Sequence, residues 1–95
     1  MKSIEYNEEK NLKLKTQRGV SFEDIKHAVA EGGLVAIVTN PDQKRYPGQK
    51  LLIVSINKYA YVAPFVEDKK KLFLKTIYPS RKYTKLYVTR KERIT

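Results

Sequence analysis

The sequence predicts an α+β domain on three observations: two capped helical segments cluster near the N-terminus, short β-rich runs follow them, and one more helical segment comes last. In that order the helices are expected to pack on one face of a mostly antiparallel sheet. A chain of 95 residues suits one domain with a modest core, so residues 1–95 are read as a single unit, with residues 89–95 as a charged tail without periodicity.

The elements follow in order. Ile4 and Tyr6 alternate with polar neighbours over residues 2–6, which predicts a first strand. Asn7 can cap a helix over Glu8–Arg18, Glu8 and Glu9 suit its positive end, and Gly19 can take the left-handed terminal conformation. This helix has little amphipathicity, because Leu12 and Leu14 do not share a face, and is expected at the periphery. Ser21 opens a second helix with Asp24 in the capping-box position, and Phe22, Ile25 and Val29 recur at core-facing spacing. Gly32 and Gly33 end it.

Residues 34–38 form an apolar run that stops at the turn Asn40-Pro41-Asp42. Tyr46-Pro47-Gly48-Gln49 carries Pro and Gly where a type II turn favours them. Residues 51–56 and 58–66 predict a hairpin about Asn57, and Pro64, which cannot donate a ladder bond, is expected at an edge or bulge. After a charged turn at Glu67-Asp68-Lys69-Lys70, residues 71–78 read as one strand, with Leu72, Leu74, Thr76 and Tyr78 on one face and Phe73, Lys75 and Ile77 on the other. Pro79 should stop that strand and Ser80 should cap a third helix with a stripe of Tyr83, Leu86 and Tyr87.

Charge narrows the classes of function. Lys and Arg total 20 against 10 Asp and Glu, a net +10. Residues 1–68 hold ten basic and nine acidic residues, or +1, whereas residues 69–95 hold ten basic residues and Glu92 alone, or +9. Segregation of this kind points to a polyanion partner met mainly through the C-terminal quarter. The absence of cysteine excludes disulfides, thiolate nucleophiles and cysteine-bound zinc. No apolar run reaches the ~18 residues of a membrane span, and the N-terminus lacks a secretory pattern, so a cytoplasmic protein without a membrane association is expected.

Three segments resemble the BrnT family of bacterial toxins, which are similar in fold to RelE-type ribonucleases. They are Ile4-Glu5-Tyr6-Asn7-Glu8-Glu9-Lys10-Asn11, Arg18-Gly19-Val20-Ser21-Phe22-Glu23-Asp24, and Lys75-Thr76-Ile77-Tyr78-Pro79-Ser80-Arg81-Lys82-Tyr83-Thr84-Lys85. Together they extend from the first strand to the last helix. Tyr6 stands where the family commonly has Trp, and Ser80-Arg81-Lys82-Tyr83-Thr84 stands where Ala-Arg-Arg-Ala-Thr is usual. The resemblance implies a RelE-like sheet with two N-terminal helices and a short C-terminal helix. It also implies a type II toxin–antitoxin role: an endoribonuclease neutralised by a DNA-binding antitoxin, which alone would connect the toxin to operator DNA.

RNA can be cleaved without a metal when the ribose 2′-OH is aligned on its own phosphate and cations surround the developing charge. His27 is the only histidine and falls opposite the apolar stripe of its helix, so a histidine pair is excluded. No carboxylate spacing suggests a metal site, and no cofactor is expected. Arg, Lys and Tyr chemistry remains, as the RelE-like resemblance implies. Lys75, Tyr78, Arg81, Lys82 and Tyr83 are the catalytic candidates, with Arg81 expected to hold the scissile phosphate at a strand-to-helix junction. Lys44, Arg45, Tyr46 and Lys85 are candidate RNA contacts. The plainer reading makes Lys75 and Lys82 solvated surface residues, Tyr78 and Tyr83 core, and residues 44–46 an ordinary loop. Two other functions fit the same sequence: a basic nucleic-acid-binding module without catalysis, and an inactive toxin relative kept as a protein-binding partner.

Overall fold

A computed structural model describes residues 2–89, so the expected tail lies outside the described residues from position 90 onward. The chain runs through β1 (Ser3–Tyr6), α1 (Glu8–Arg18), α2 (Phe22–Ala30), β2 (Leu34–Thr39), β3 (Lys50–Ile56), β4 (Tyr59–Glu67), β5 (Lys71–Leu74) and β6 (Tyr78–Pro79). It then enters α3 (Arg81–Tyr83), which widens into a π-helical stretch over Thr84–Thr89. The fold is α+β. The strand order is β1-β5-β4-β3-β2, with β6 also on β4, and every pairing is antiparallel except the parallel one between β1 and β5.

The helix boundaries follow from local hydrogen bonds. Asn7 Oδ1 accepts from Lys10 N–H at 2.9 Å, and Gly19, at φ 68°, turns its N–H back to the Lys15 carbonyl. Ser21 Oγ accepts from Asp24 N–H at 3.1 Å while Asp24 Oδ2 accepts from Ser21 N–H at 2.9 Å, a complete capping box. Buried Asn11 then locks α1 to α2, its Oδ1 accepting from Phe22 N–H at 2.7 Å.

Helices cover both faces of the sheet, which corrects the single-face expectation. Leu14, Phe22 and Ile25 pack on Leu52, Val54, Ala63, Phe65 and Leu74. On the other face Tyr83, Tyr87 and Val88 lie over Leu51, Ile53, Ala60 and Val62. The cause is visible in β3 and β4: both parities are apolar, so a bare second face would leave Ile53 and Val62 in water. The C-terminal helix is pinned there by buried Thr84, whose hydroxyl donates to the Ser80 carbonyl at 2.6 Å and accepts from Ala60 N–H at 2.8 Å. The buried stripe therefore uses Thr84 and Val88, and Leu86, expected inside, is exposed.

The single strand expected over residues 71–78 is two short strands. Leu74 and Ile77 are buried in the same cluster although three residues apart, which the two-residue period of one pleated strand forbids, and Tyr78 joins the opposite face. Lys75 N–H bonds the Pro64 carbonyl at 2.8 Å, and the Arg18 guanidinium bonds the Ile77 carbonyl, holding the irregular link in place. Pro64 is consequently not at an edge. It lies on β4 where the partner changes from β5 to β6, so its missing N–H faces the interruption and costs no ladder bond. Lys58, expected in a strand, instead forms the β3–β4 turn with Asn57, both at positive φ (63° and 52°), as a type I′ turn requires.

Gly33 joins α2 to the sheet. Its N–H reaches the Ala28 carbonyl at 2.7 Å and its carbonyl accepts from Ser55 N–H at 2.8 Å. A Cβ at this position would stand 3.0 Å from the carbonyl oxygens of both Ala28 and Ser55. Gly33→Ala is expected to destabilise the fold by about 1–3 kcal/mol, because backbone rather than a flexible side chain must yield. A change below about 0.5 kcal/mol in denaturant unfolding would contradict this close approach. No helix of the described residues is long and apolar enough to cross a membrane.

Candidate nucleic-acid interface

The interruption between β5 and β6 opens a cleft of about 300 Å³. Pro64 of β4, Lys75 and Thr76 of the link, Tyr78 of β6, and Asn40, Tyr46 and Gln49 from the β2–β3 connection line it. That connection is organised by amide side chains. Asn40 Oδ1 accepts from Asp42 N–H at 2.9 Å and Asn40 Nδ2 donates to Gln49 Oε1 at 2.8 Å. Gln43 Nε2 donates to the carbonyls of Asn40 and Gln49, and its Oε1 accepts from Gly48 N–H at 3.0 Å. The expected turn is present: Gln49 N–H bonds the Tyr46 carbonyl at 3.2 Å, with Gly48 at φ 75°.

Three sequence-predicted residues therefore meet in one cleft: Tyr46, Lys75 and Tyr78. Tyr78 is half-buried, and desolvation raises its phenol above the ordinary value, with Tyr83 and Tyr46 acting in the same direction. The phenol is thus a neutral hydrogen-bond donor over the physiological range. Tyr83 packs in the same apolar cluster as Tyr78 and stacks on Tyr87, ring centroids 5.9 Å apart. The Lys82 ammonium lies 5.4 Å from the Tyr83 ring, the Arg45 guanidinium 5.8 Å from the Tyr46 ring, and the Lys75 ammonium 5.3 Å from the Phe73 ring.

Arg81, Lys82 and Lys85 are exposed on the C-terminal helix, and Lys44 on its loop; none of the four lines the cleft. Among the described residues no carboxylate is paired with any of them. Ser80 Oγ already accepts from Tyr83 N–H at 3.1 Å and the Ser80 carbonyl from Thr84 N–H at 3.0 Å, and the regular helix is a single turn. Arg81 can still offer its guanidinium as an exposed cation. Residues 69–89 contain seven Lys and Arg and no acid, so the field around the helix is positive. His27 is exposed on α2, which packs against the face of the sheet opposite the cleft, 3.9 Å from Glu31.

Sequence reasoning missed Asn40, Gln49 and Thr76. The available signal was three carboxamides, Asn40, Gln43 and Gln49, spaced through one short connection.

A second cleft, of about 310 Å³, opens on the α2 face between Val29, Ile4, Leu52, Phe65 and the exposed Leu34 and Ile37 of β2. Glu67 sits at its mouth, 2.7 Å from both the Lys2 and Lys50 ammonium groups, and these hydrogen bonds hold its carboxyl at about 2. A folded-state pKa below the unfolded value stabilises the fold above the unfolded pKa and is lost as pH falls through the folded one. Melting temperature is therefore expected to drop between about pH 5 and pH 2, and Glu67→Gln should flatten that slope. Identical pH profiles for the two proteins would remove Glu67 as the source.

The fold and cleft define a small basic α+β domain with an aromatic, cation-bearing groove. Neither family models, curated proteins nor solved structures provide a match to the chain.

Proposed function

We propose that this protein is a cytoplasmic, RNA-binding and RNA-cleaving toxin of the BrnT type, held in check by a cognate DNA-binding antitoxin. The observation that carries the reading is the convergence of Tyr46, Lys75 and Tyr78 in one cleft, beside an exposed cationic helix. Arg, Lys and Tyr are the residue types that metal-independent RNA cleavage can use. In the proposed step the ribose 2′-oxygen forms a bond to the adjacent phosphorus and the bond from phosphorus to the 5′-oxygen breaks. Solvent takes the 2′ proton, Tyr78 protonates the departing 5′-oxygen, and Lys75 with Arg81 balances the phosphorane charge. Lys82 and Tyr83 support that region of the helix, while Lys44, Arg45 and Lys85 hold flanking phosphates. The proposed step uses neither metal nor cofactor; among the described residues no three of His, Asp or Glu lie together as metal ligands.

A partner segment with apolar and acidic residues suits the remaining surface, since Leu34 and Ile37 are exposed at the second cleft. Operator DNA would be reached only through that partner.

RNA affinity is expected to fall steeply between low and physiological salt, because each phosphate contact releases counterions. Fluorescence anisotropy at several salt concentrations checks this, and salt-independent affinity would reject it. Cleavage should persist in EDTA and leave 2′,3′-cyclic phosphate ends visible by mass spectrometry. Restoration by magnesium of activity abolished by EDTA would reject the mechanism.

One observation favours a second reading, RNA binding without cleavage: among the described residues no carboxylate or imidazole lines the cleft. Undiminished binding without cleavage or growth arrest would select it.

A further inference from the structure

We infer that the cleft is a nucleobase pocket selective for guanine, with Gln49 as the specificity-determining residue. The inference rests on the RNA reading above and goes beyond it by assigning a base. It follows from which polar atoms the β2–β3 connection has already used. Asn40, only 9% exposed, spends its Oδ1 on Asp42 N–H and one Nδ2 hydrogen on Gln49 Oε1. Gln49 Oε1 is thereby engaged inside the connection, and among the described residues no hydrogen bond uses Gln49 Nε2. The two amide oxygens are turned to the loop, which leaves Gln49 Nε2 and the second Nδ2 hydrogen of Asn40 to donate. Lys75 and Tyr78 line the same cleft and stay with the phosphate in the cleavage proposed above, so the amides are what a base meets.

Guanine is the base that answers this pattern. Its O6 and N7 place two acceptors side by side on one edge, whereas adenine and cytosine present an amino donor there. A free glutamine commonly reads adenine because it offers a donor and an acceptor together; with its oxygen engaged by Asn40, Gln49 offers the donor. Tyr46, 42% exposed at the edge of the cleft, provides a ring on which a base can stack, and stacking adds affinity without choosing the base.

The test uses the full chain and single-stranded uridine oligonucleotides carrying one central guanine, adenine or cytosine, with all-uridine as reference. The guanine oligonucleotide is expected to bind about tenfold more tightly than the others, within the range for a two-acceptor contact. Gln49→Ala should reduce that advantage to about twofold or less. Gln49→Glu keeps an oxygen for Asn40 but replaces the donor by an acceptor, so it should abolish the guanine preference and favour cytosine, whose amino group donates. Circular dichroism melts confirm that the variants are folded, and the glutamate variant decides the matter should the alanine variant unfold. Tyr46→Ala should weaken all four complexes by a similar factor. Equal affinities for the four oligonucleotides, or a guanine preference surviving Gln49→Glu, overturns the inference and leaves salt-sensitive RNA binding intact. Failure of every oligonucleotide to bind at low salt removes the RNA reading itself.

Discussion

Replacing Tyr78 by Phe is expected to slow RNA cleavage by about a hundredfold, the lower end of what a positioned proton donor contributes. The substitution removes one oxygen and leaves the ring that packs with Tyr83 on the inner face of the C-terminal helix. Binding should therefore change little, and single-turnover rates compared with anisotropy titrations separate the two effects. Burial raises the phenol's pKa above 10.0, so the protonated, donating form persists beyond that pH and the rate should fall only on the alkaline side of it. A Phe variant with full activity would show that Tyr78 is core and nothing more. Lys75→Ala should weaken binding and cleavage together, because the proposed mechanism sets its charge against the phosphate in both ground and transition states.

Phe22→Ala should cost about 3–5 kcal/mol, a large fraction of the stability of a domain this size. Phe22 has no exposed surface, stacks on Tyr6 with ring centroids 4.9 Å apart, and presents its N–H to Asn11. Truncation empties the junction where α1, α2 and β1 meet, and little nearby can close over the space. Leu12→Ala on the same pair of helices makes the comparison, since Leu12 is 63% exposed and its loss should lie within about 0.5 kcal/mol. Denaturant midpoints for both variants measure the difference. A cost below about 1.5 kcal/mol for Phe22→Ala would mean that the cluster repacks around the loss.

The helix starts, the left-handed Gly19, the Pro47-Gly48 turn and the β3–β4 hairpin could all be read from the chain. The caps and turns depend on bonds between residues no more than a few positions apart, and the hairpin's register is set by its two-residue turn at Asn57 and Lys58. The same locality explains the errors. α-Helical spacing puts Leu86 inside, but the π-helical winding after Tyr83 brings Thr84 and Val88 to the sheet instead. Residues 71–78 alternate as one strand would, and nothing within them announces that β4 will change partners at Pro64. Of the candidate site, Lys75, Tyr78 and Tyr46 stand out in the chain by their chemistry, but no local pattern brings them together.

By itself the sequence determined the α+β class, the helix boundaries, the turn at Gly48 and the concentration of positive charge in the last quarter. These are set by caps, φ preferences and composition, which act locally or simply add. Only the tertiary structure decided which helix covers the second face, that the last strand breaks, and that a cleft opens at the break. Those outcomes depend on bonds such as Thr84 to Ala60, 24 residues apart, and Arg18 to Ile77, 59 apart. Such contacts form only after distant apolar surfaces have chosen their partners, and no window of neighbouring residues carries that choice.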